Sequence, residues 1–443
     1  MPGGAKRLAD TRTLTMIAFT ATAGVFIEYY DFFIYGYAAA SAFPAIFFPR
    51  LPPTQALLFS YLAFGAGFPA RLLGAFLFGH FGDRIGRKFS FMVNLIIVGG
   101  TTCLTGLLPG YAKLGIAAPI LLVVLRIMQG IGIGGEFGGA SSLLGEFAAQ
   151  RRRRAFWMSL ANLGVPLGTM SASVVLLVMS KTFTISGWRV AMLLSIVIVI
   201  PALLARYKFA DSPLFEQLKQ TDKLAALPSF GVLKHYPRSV ILLALFAAFG
   251  GMGGYVAGTY FVSFMRFAGI PLATTAAILI FAKGGTLLGV LVSGPAADFC
   301  KRRLTAYIAI GLATLLSYPL TLAVLNKRIG LVTLLEILIS FFGTGIVIGL
   351  APILACESFP TKFRYSGSGI SYNLAGLLSG MIAPSLLAGL IGEDVFHKWY
   401  YVPVVYGFYC VAAMLALRFI RETRDLKLED LDQVEPVLRP VRS

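Results

Sequence analysis

The sequence predicts an all-α membrane protein of twelve transmembrane helices, arranged as two pseudo-symmetric six-helix bundles. Three observations carry that expectation. Of 443 residues, 57% are hydrophobic and only 13% are charged, against roughly 25% charged in an ordinary soluble protein, and the mean hydropathy is +0.79. Apolar runs of about 20 residues, the length that crosses a bilayer core, recur along the whole chain. One long polar interior stretch, RYKFADSPLFEQLKQTDKLAALPSFGVLKHYPRS, divides those runs into two sets.

Taken in order, the first set lies near 14–40, 56–79, 90–109, 117–140, 155–180 and 188–206. The second lies near 239–266, 272–296, 304–325, 329–353, 366–391 and 400–420. The expected organisation is a first bundle over 1–206, a linker over 207–238, a second bundle over 239–420 and a tail over 421–443. The polar opening MPGGAKRLADTRTLT runs into span 1 without a small-residue cleavage site, so no removable signal peptide is expected. Most of the 38 Lys and Arg fall in the termini and in the loops after even-numbered spans. Arg50, Lys113, Lys181, Arg189, Arg266, Lys327, Arg328 and Lys398 fall in the opposite loops or at their span ends. The positive-inside rule then puts both termini in the cytoplasm.

The net charge of +18 reports this topology and contact with anionic lipid, and a nucleic-acid partner is not expected. Cys103, Cys300, Cys356 and Cys410 have no metal or disulfide spacing, and His80, His235 and His397 are far apart. No metal or cofactor is expected. Enzyme motifs such as H-E-x-x-H, G-x-S-x-G and the P-loop are missing from the sequence, as is an ATP-binding domain, so an ion gradient must supply any driving energy.

Span 4 contains RIMQGIGIGGEFGGA, a formal match to the dinucleotide fingerprint at Gly130, Gly132 and Gly135. That fingerprint needs a strand before it and a helix after it, and here a long apolar run precedes it. Gly130, Gly134 and Gly138, like Gly135 and Gly139, recur every four residues, which makes smooth stripes for close helix packing.

The two halves echo each other. GHFGDRIGRK after span 2 and GPAADFCKRR after span 8 align Gly79 with Gly294 and Asp83 with Asp298. At nearly the same offset, EFAAQRRRR from Glu146 aligns with ESFPTKFR from Glu357. Duplicated halves within one membrane are the plan of a transporter that rocks about a central site.

These residues carry a resemblance. GHFGDRIGRK is similar to the loop signature of the major facilitator superfamily. EYYDFFIYG (28–36), RIMQGIGIGGEFGGA and ESFPTKFRYSG resemble the narrower metabolite:proton symporter family, whose porters carry shikimate, 2-oxoglutarate, citrate and proline or betaine. Leu72, Tyr29 and Lys301 depart from the family pattern, where proline, tryptophan and glycine are usual. The resemblance implies uptake of a small organic acid with a proton, in a bacterial inner membrane, by a monomer. Proton-coupled efflux of drugs or organic anions is one alternative. Uptake of betaine or proline is another, although the short tail lacks the heptads of a long coiled coil.

Buried charges mark the expected site, because an ionisable residue inside a bilayer is functional by default. Arg126 lies roughly 12 Å into span 4 from outside, and Glu28 and Asp31 roughly 21–25 Å into span 1 from the cytoplasm, at 1.5 Å per residue. In a core about 30 Å thick those depths overlap, so Arg126 is expected to meet both carboxylates. Two carboxylates beside one cation titrate apart, and one can carry a proton. The resemblance assigns that role to Asp31, with Glu28 as the second carboxylate. A permanent structural ion pair is the competing interpretation. Lys283, in LIFAKGGTLLG, suits an anionic substrate unless it snorkels to an interface. Tyr35, Tyr255, Asn162, Tyr372 and Asn373, with Tyr29 and Tyr260, offer neutral hydrogen bonds or packing. Arg71 and Glu136 belong to family motifs, as gates or as structure, and Glu336 is expected to be exposed near the outer surface. Asp83, Arg84, Arg87 and Glu146, with Asp298, Arg302 and Glu357 in the second half, form the expected conformational latch on the cytoplasmic side.

Overall fold

The computed structural model describes residues 11–84, 87–148, 153–179, 182, 186–207, 228–391 and 394–425, apart from some side chains within helices. In hydrocarbon every backbone polar group must be satisfied within the chain. The described residues accordingly form helices, and no strand occurs among them.

Twelve spans follow in order. Span 1 is a single helix, Thr11–Ser41. Span 2 comprises Pro53–Gly65 and Gly67–Arg84, with Pro53 in the first turn, where its missing N–H goes unmissed. Span 3 is Arg87–Leu107, and span 4 is Ala117–Gly134 with Glu136–Phe147. Span 5 runs through Arg154–Leu160, a 3₁₀ turn at Ala161–Leu163, and Gly164–Val178. Span 6 is Trp188–Leu193 and Ile196–Tyr207. Span 7 joins Pro237–Tyr255 to Phe261–Phe267 through a π-helical turn at Val256–Tyr260. Spans 8 and 9 are Leu272–Phe299 and Arg302–Leu325. Span 10 is Ile329–Ile339 and Val347–Ser358 around a π-helical Ser340–Ile346. Span 11 is Arg364–Gly376 and Ala383–Ile391 around a π-helical Leu377–Ile382, and span 12 is Tyr401–Phe419.

Eight helical stretches among the described residues are long and apolar enough to cross a membrane by themselves, and Leu62–Phe78 and Met92–Leu107 are shorter apolar helices. Span 11 begins with the polar RYSGSGISYNLAG, most of which is buried against spans 2 and 4. Large apolar side chains turn outward instead, among them Phe19, Val178, Leu315 and Phe408, as lipid contact demands.

The Gly130, Gly134 and Gly138 stripe of span 4 packs as its spacing predicts. A Cβ on Gly130 would lie 2.5 Å from the Gly67 carbonyl oxygen, and one on Gly134 would strike the Arg71 carbonyl. Gly138 makes the same close approach to Tyr365 of span 11, where a Cβ would sit 2.6 Å from its carbonyl oxygen. Span 4 therefore lies directly on span 2 along one stretch and on span 11 along the next.

Candidate functional site

Three residues of a 3.6-residue turn set Glu28 and Asp31 about 60° apart around span 1. The two carboxylates consequently meet different neighbours. Glu28 is 3% exposed and accepts from Arg71 Nη2 at 2.5 Å. Arg71 Nε also donates to Asn373 Oδ1 of span 11 at 3.1 Å, and Asn373 Nδ2 donates to the Gly134 carbonyl at 2.9 Å. This chain of contacts ties spans 1, 2 and 4 to span 11. Beside it the hydroxyls of Tyr29 and Tyr372 lie 2.9 Å apart, and the Tyr372 ring stacks on Phe137 at 3.7 Å.

Asp31 is 1% exposed and takes its hydrogen bond from span 3, where Thr102 Oγ1 lies 2.7 Å from Oδ2. Gln129 Nε2 donates to Thr102 Oγ1 at 2.6 Å, and Arg126 Nη1 donates to Gln129 Oε1 at 2.6 Å. The Arg126 guanidinium donates to the Phe64 carbonyl at 3.2 Å and lies over the rings of Tyr35, Phe32 and Phe64 at 4.3, 4.8 and 4.8 Å. The direct meeting of Arg126 with both carboxylates is thus corrected. Glu28 pairs with Arg71, and Arg126 reaches Asp31 only through Gln129 and Thr102. The reason is rotational, because depth along a span says nothing about which way a side chain faces.

A small cleft lies between the two sets of spans. Tyr29, Phe33, Thr169, Tyr255, Lys283 and Thr344 are among its lining residues. Lys283 Nζ stands 5.8 Å from the Phe33 ring centroid and makes no ion pair within 4.0 Å among the described residues. Glu336 is buried, at 2% exposed, and lies within electrostatic reach of Lys283. Its expected exposure is therefore corrected: Gly285 lets span 8 lie directly on the Ile337 backbone, which covers the turn that carries Glu336. Tyr35 and Asn162 do not line the cleft. Tyr35 lies beneath Arg126, and Asn162 Nδ2 donates to the Ile348 carbonyl at 2.6 Å, another tie between the halves.

The end of the bundle where span 5 begins and spans 8 and 10 finish holds a second polar cluster. Asp298 accepts from the backbone amides of Ala155 and Phe156 at 3.2 and 3.0 Å, capping the start of span 5 from the end of span 8, where the helix dipole favours an anion. Glu357 takes a two-pronged contact from Arg302, at 2.8 and 3.0 Å, and a further one from Arg154 at 2.5 Å. The Thr423 hydroxyl donates to Glu357 as well, and Glu422 accepts from the amides of Arg302 and Arg303 at 3.1 Å each. The side chains of Asp83, Arg84, Arg87, Glu136 and Glu146 lie outside the described residues.

Thr102, Gln129 and Thr423 escaped the sequence-based selection, and Arg154 entered it only as part of the RRRR run, as a latch element or a lipid contact. Gln129 stands three residues after Arg126, the helical spacing of side-chain neighbours, and that signal was available. Arg154 was hidden inside the RRRR run, where charge runs ordinarily meet solvent or lipid.

A twelve-helix membrane bundle with buried ions in its spans and a lysine-lined cleft between two sets of six spans is built as a transport protein. The profile of the Major Facilitator Superfamily matches residues 21–384, and the chain belongs to that family. It is 36% identical over 382 residues to the "Inner membrane metabolite transport protein YhjE" of Escherichia coli (strain K12), covering 83% of this chain and 86% of that relative. To the "Shikimate transporter" of the same organism it is 31% identical over 404 residues, with 89% and 92% covered. Among solved structures, the proton:xylose symporter XylE bound to 6-bromo-6-deoxy-D-glucose superposes with a TM-score of 0.77, covering 96% of this chain and 100% of that one at 17% identity. The protein is a multi-pass membrane transporter of metabolites and not an enzyme.

Proposed function

We propose that the protein takes up a small organic acid, or a related carboxylate-bearing metabolite, together with a proton by alternating access. The observation that carries this reading is Asp31. It is a carboxylate buried in span 1 with no cation at ion-pair distance among the described residues, linked to Arg126 through two polar side chains. A carboxylate so placed gains and loses a proton without breaking a salt bridge, whereas Glu28 is committed to Arg71. Lys283 supports the substrate class, since an unpaired buried anion is very costly and a cleft-lining ammonium offsets that cost. The printed names of relatives agree with a carboxylate: shikimate, alpha-ketoglutarate and ectoine or proline. The contacts of Asp298 and Glu357 are proposed to latch the cytoplasmic side, with both termini in the cytoplasm of a bacterial cell.

Proteoliposomes test this directly. An inward proton gradient, without ATP, should drive accumulation of at least one of labelled shikimate, 2-oxoglutarate or proline. Asp31→Asn should abolish accumulation and leave exchange of the same solute across the membrane measurable. Wild-type accumulation in Asp31→Asn would sink the proton assignment.

A further inference from the structure

Four side chains from spans 1, 3 and 4 form an unbroken line, and the chemistry of its members fixes the direction of each hydrogen bond. Arginine has donors only, so the Gln129 atom 2.6 Å from Arg126 Nη1 is the carbonyl Oε1. That assignment turns the Gln129 amide nitrogen toward Thr102, 2.6 Å away. The Thr102 oxygen therefore spends one lone pair on Gln129. It has one hydrogen left to give, and two acceptors lie in reach: Asp31 Oδ2 at 2.7 Å and the Val98 carbonyl at 2.9 Å. With Asp31 ionised, the charge-assisted bond is the stronger, and every donor in the line points from Arg126 toward Asp31. With Asp31 protonated, its new O–H donates to the second lone pair of Thr102, and the Thr102 hydrogen turns to Val98. The proton comes from water and rests on Asp31, and no other covalent bond is made or broken.

From this we infer that Thr102 and Gln129 are the positioning residues of the proton site, a relay whose Thr102 hydroxyl reverses when Asp31 takes up its proton and so reports that event to Arg126. Hydrogen bonds in a chain polarise one another, so reversal at Thr102 weakens the hold of Gln129 on the guanidinium. Arg126 Nη2 and Asp31 Oδ1 are both buried without a hydrogen-bond partner among the described residues, so the relay is the described polar route between the two ends. Among the described residues, Arg126 of span 4, Cys103 of span 3 and Tyr30 of span 1 are the titratable or charged groups within electrostatic reach of Asp31. The cation among them is the one the relay engages. The inference rests on the proposed role of Asp31 as the proton carrier.

Infrared difference spectroscopy tests the relay on purified, reconstituted protein with protons as the only ligand. Acidification should bring up a carboxylic-acid C=O band that Asp31→Asn removes, which identifies it. In Thr102→Val the band should move toward the frequency of an unbonded acid, and its titration midpoint should be displaced by about one pH unit, the lower end for losing a hydrogen bond to a charged group. Thr102→Ser keeps the hydroxyl and should restore both the band position and the midpoint. Gln129→Leu should displace the midpoint while leaving the band hydrogen-bonded, because Thr102 stays in place. A band that Asp31→Asn removes but that neither Thr102→Val nor Gln129→Leu alters overturns the relay and leaves the proton assignment standing. If Asp31→Asn removes no band, the proton assignment fails, and the relay with it.

Discussion

Removing the Arg154 side-chain charge should open the end of the bundle that holds Glu357 without unfolding either half. Glu357 holds two arginines of different standing. Arg302 belongs to the same half and grips the carboxylate with two prongs at 2.8 and 3.0 Å. Arg154 comes from the other half at 2.5 Å. In Arg154→Gln, Glu357 keeps Arg302 and Thr423, so no carboxylate is stranded, and what is lost includes one charge-assisted contact, about 1.5–3 kcal/mol, beside the Arg154 hydrogen bond to the Thr423 carbonyl at 3.2 Å. At 1.36 kcal/mol per factor of ten, separation of the halves becomes roughly 10- to 150-fold easier. Cys356 is a built-in reporter: it is 0% exposed, and a Cβ on Gly145 across the contact would strike its sulfur. With Cys103, Cys300 and Cys410 replaced by alanine, a membrane-permeant maleimide should label Cys356 faster by that factor in Arg154→Gln. Arg302→Gln should lower the melting temperature and change labelling less than about threefold, because its arm does not cross between the halves. Unchanged labelling in Arg154→Gln, or equal acceleration in Arg302→Gln, would refute the assignment of the crossing arm as the latch.

Two further outcomes follow from the cleft and the packing. Lys283→Ala should weaken equilibrium binding of the preferred carboxylate, found first by a thermal-shift screen of shikimate, 2-oxoglutarate and proline, by about 1.5–3 kcal/mol, and Lys283→Arg should rescue only in part; an unchanged dissociation constant would remove the lysine from the substrate site. Gly134→Ala places a methyl group on the Arg71 carbonyl, which is backbone and cannot turn aside, so a loss of about 1–3 kcal/mol or more is expected, read as a lower melting temperature of the purified protein; wild-type melting would show that spans 2 and 4 are not in contact along that stripe.

Much of this architecture is legible in one dimension. Hydropathy marks where the chain crosses the bilayer, and the paired motifs around Asp83 and Asp298, and Glu146 and Glu357, announce duplicated halves. Four-residue glycine spacing foretells which face of span 4 lies close to a neighbour, although it does not name spans 2 and 11 as the neighbours. What hydropathy cannot carry is rotation about the helix axis. Arg71 and Arg126 both stand in spans at depths that overlap the span 1 carboxylates, so depth leaves the pairing open. Only the packed bundle separates them, with Arg71 beside Glu28 and Arg126 among the rings of Tyr35, Phe32 and Phe64. Neutral polar residues are hidden for a different reason. Thr102 and Gln129 have no charge to make them conspicuous, and a threonine in a span ordinarily returns its hydroxyl to the preceding turn, as Thr102 also does toward Val98.

The separation of the two carboxylates gives the arrangement its logic. Glu28 faces Arg71, and through it Asn373 of the opposite half, so the strength of that pair bears on how firmly the halves hold together beside the cleft. Asp31 faces Thr102, inside its own half. A single carboxylate asked to do both tasks would have to break its ion pair with Arg71, the arginine that reaches Asn373 of the opposite half, each time it accepted a proton, and a buried pair broken on one side costs about 3–5 kcal/mol. Two carboxylates on one helix avoid that penalty. They are still joined mechanically, because Glu28 and Asp31 stand within one turn of span 1. Any rotation of that turn that follows a change at Asp31 moves the Glu28 carboxylate against Arg71 by the same angle. The proposed proton site is thus chemically insulated from the contact between the halves and geometrically tied to it.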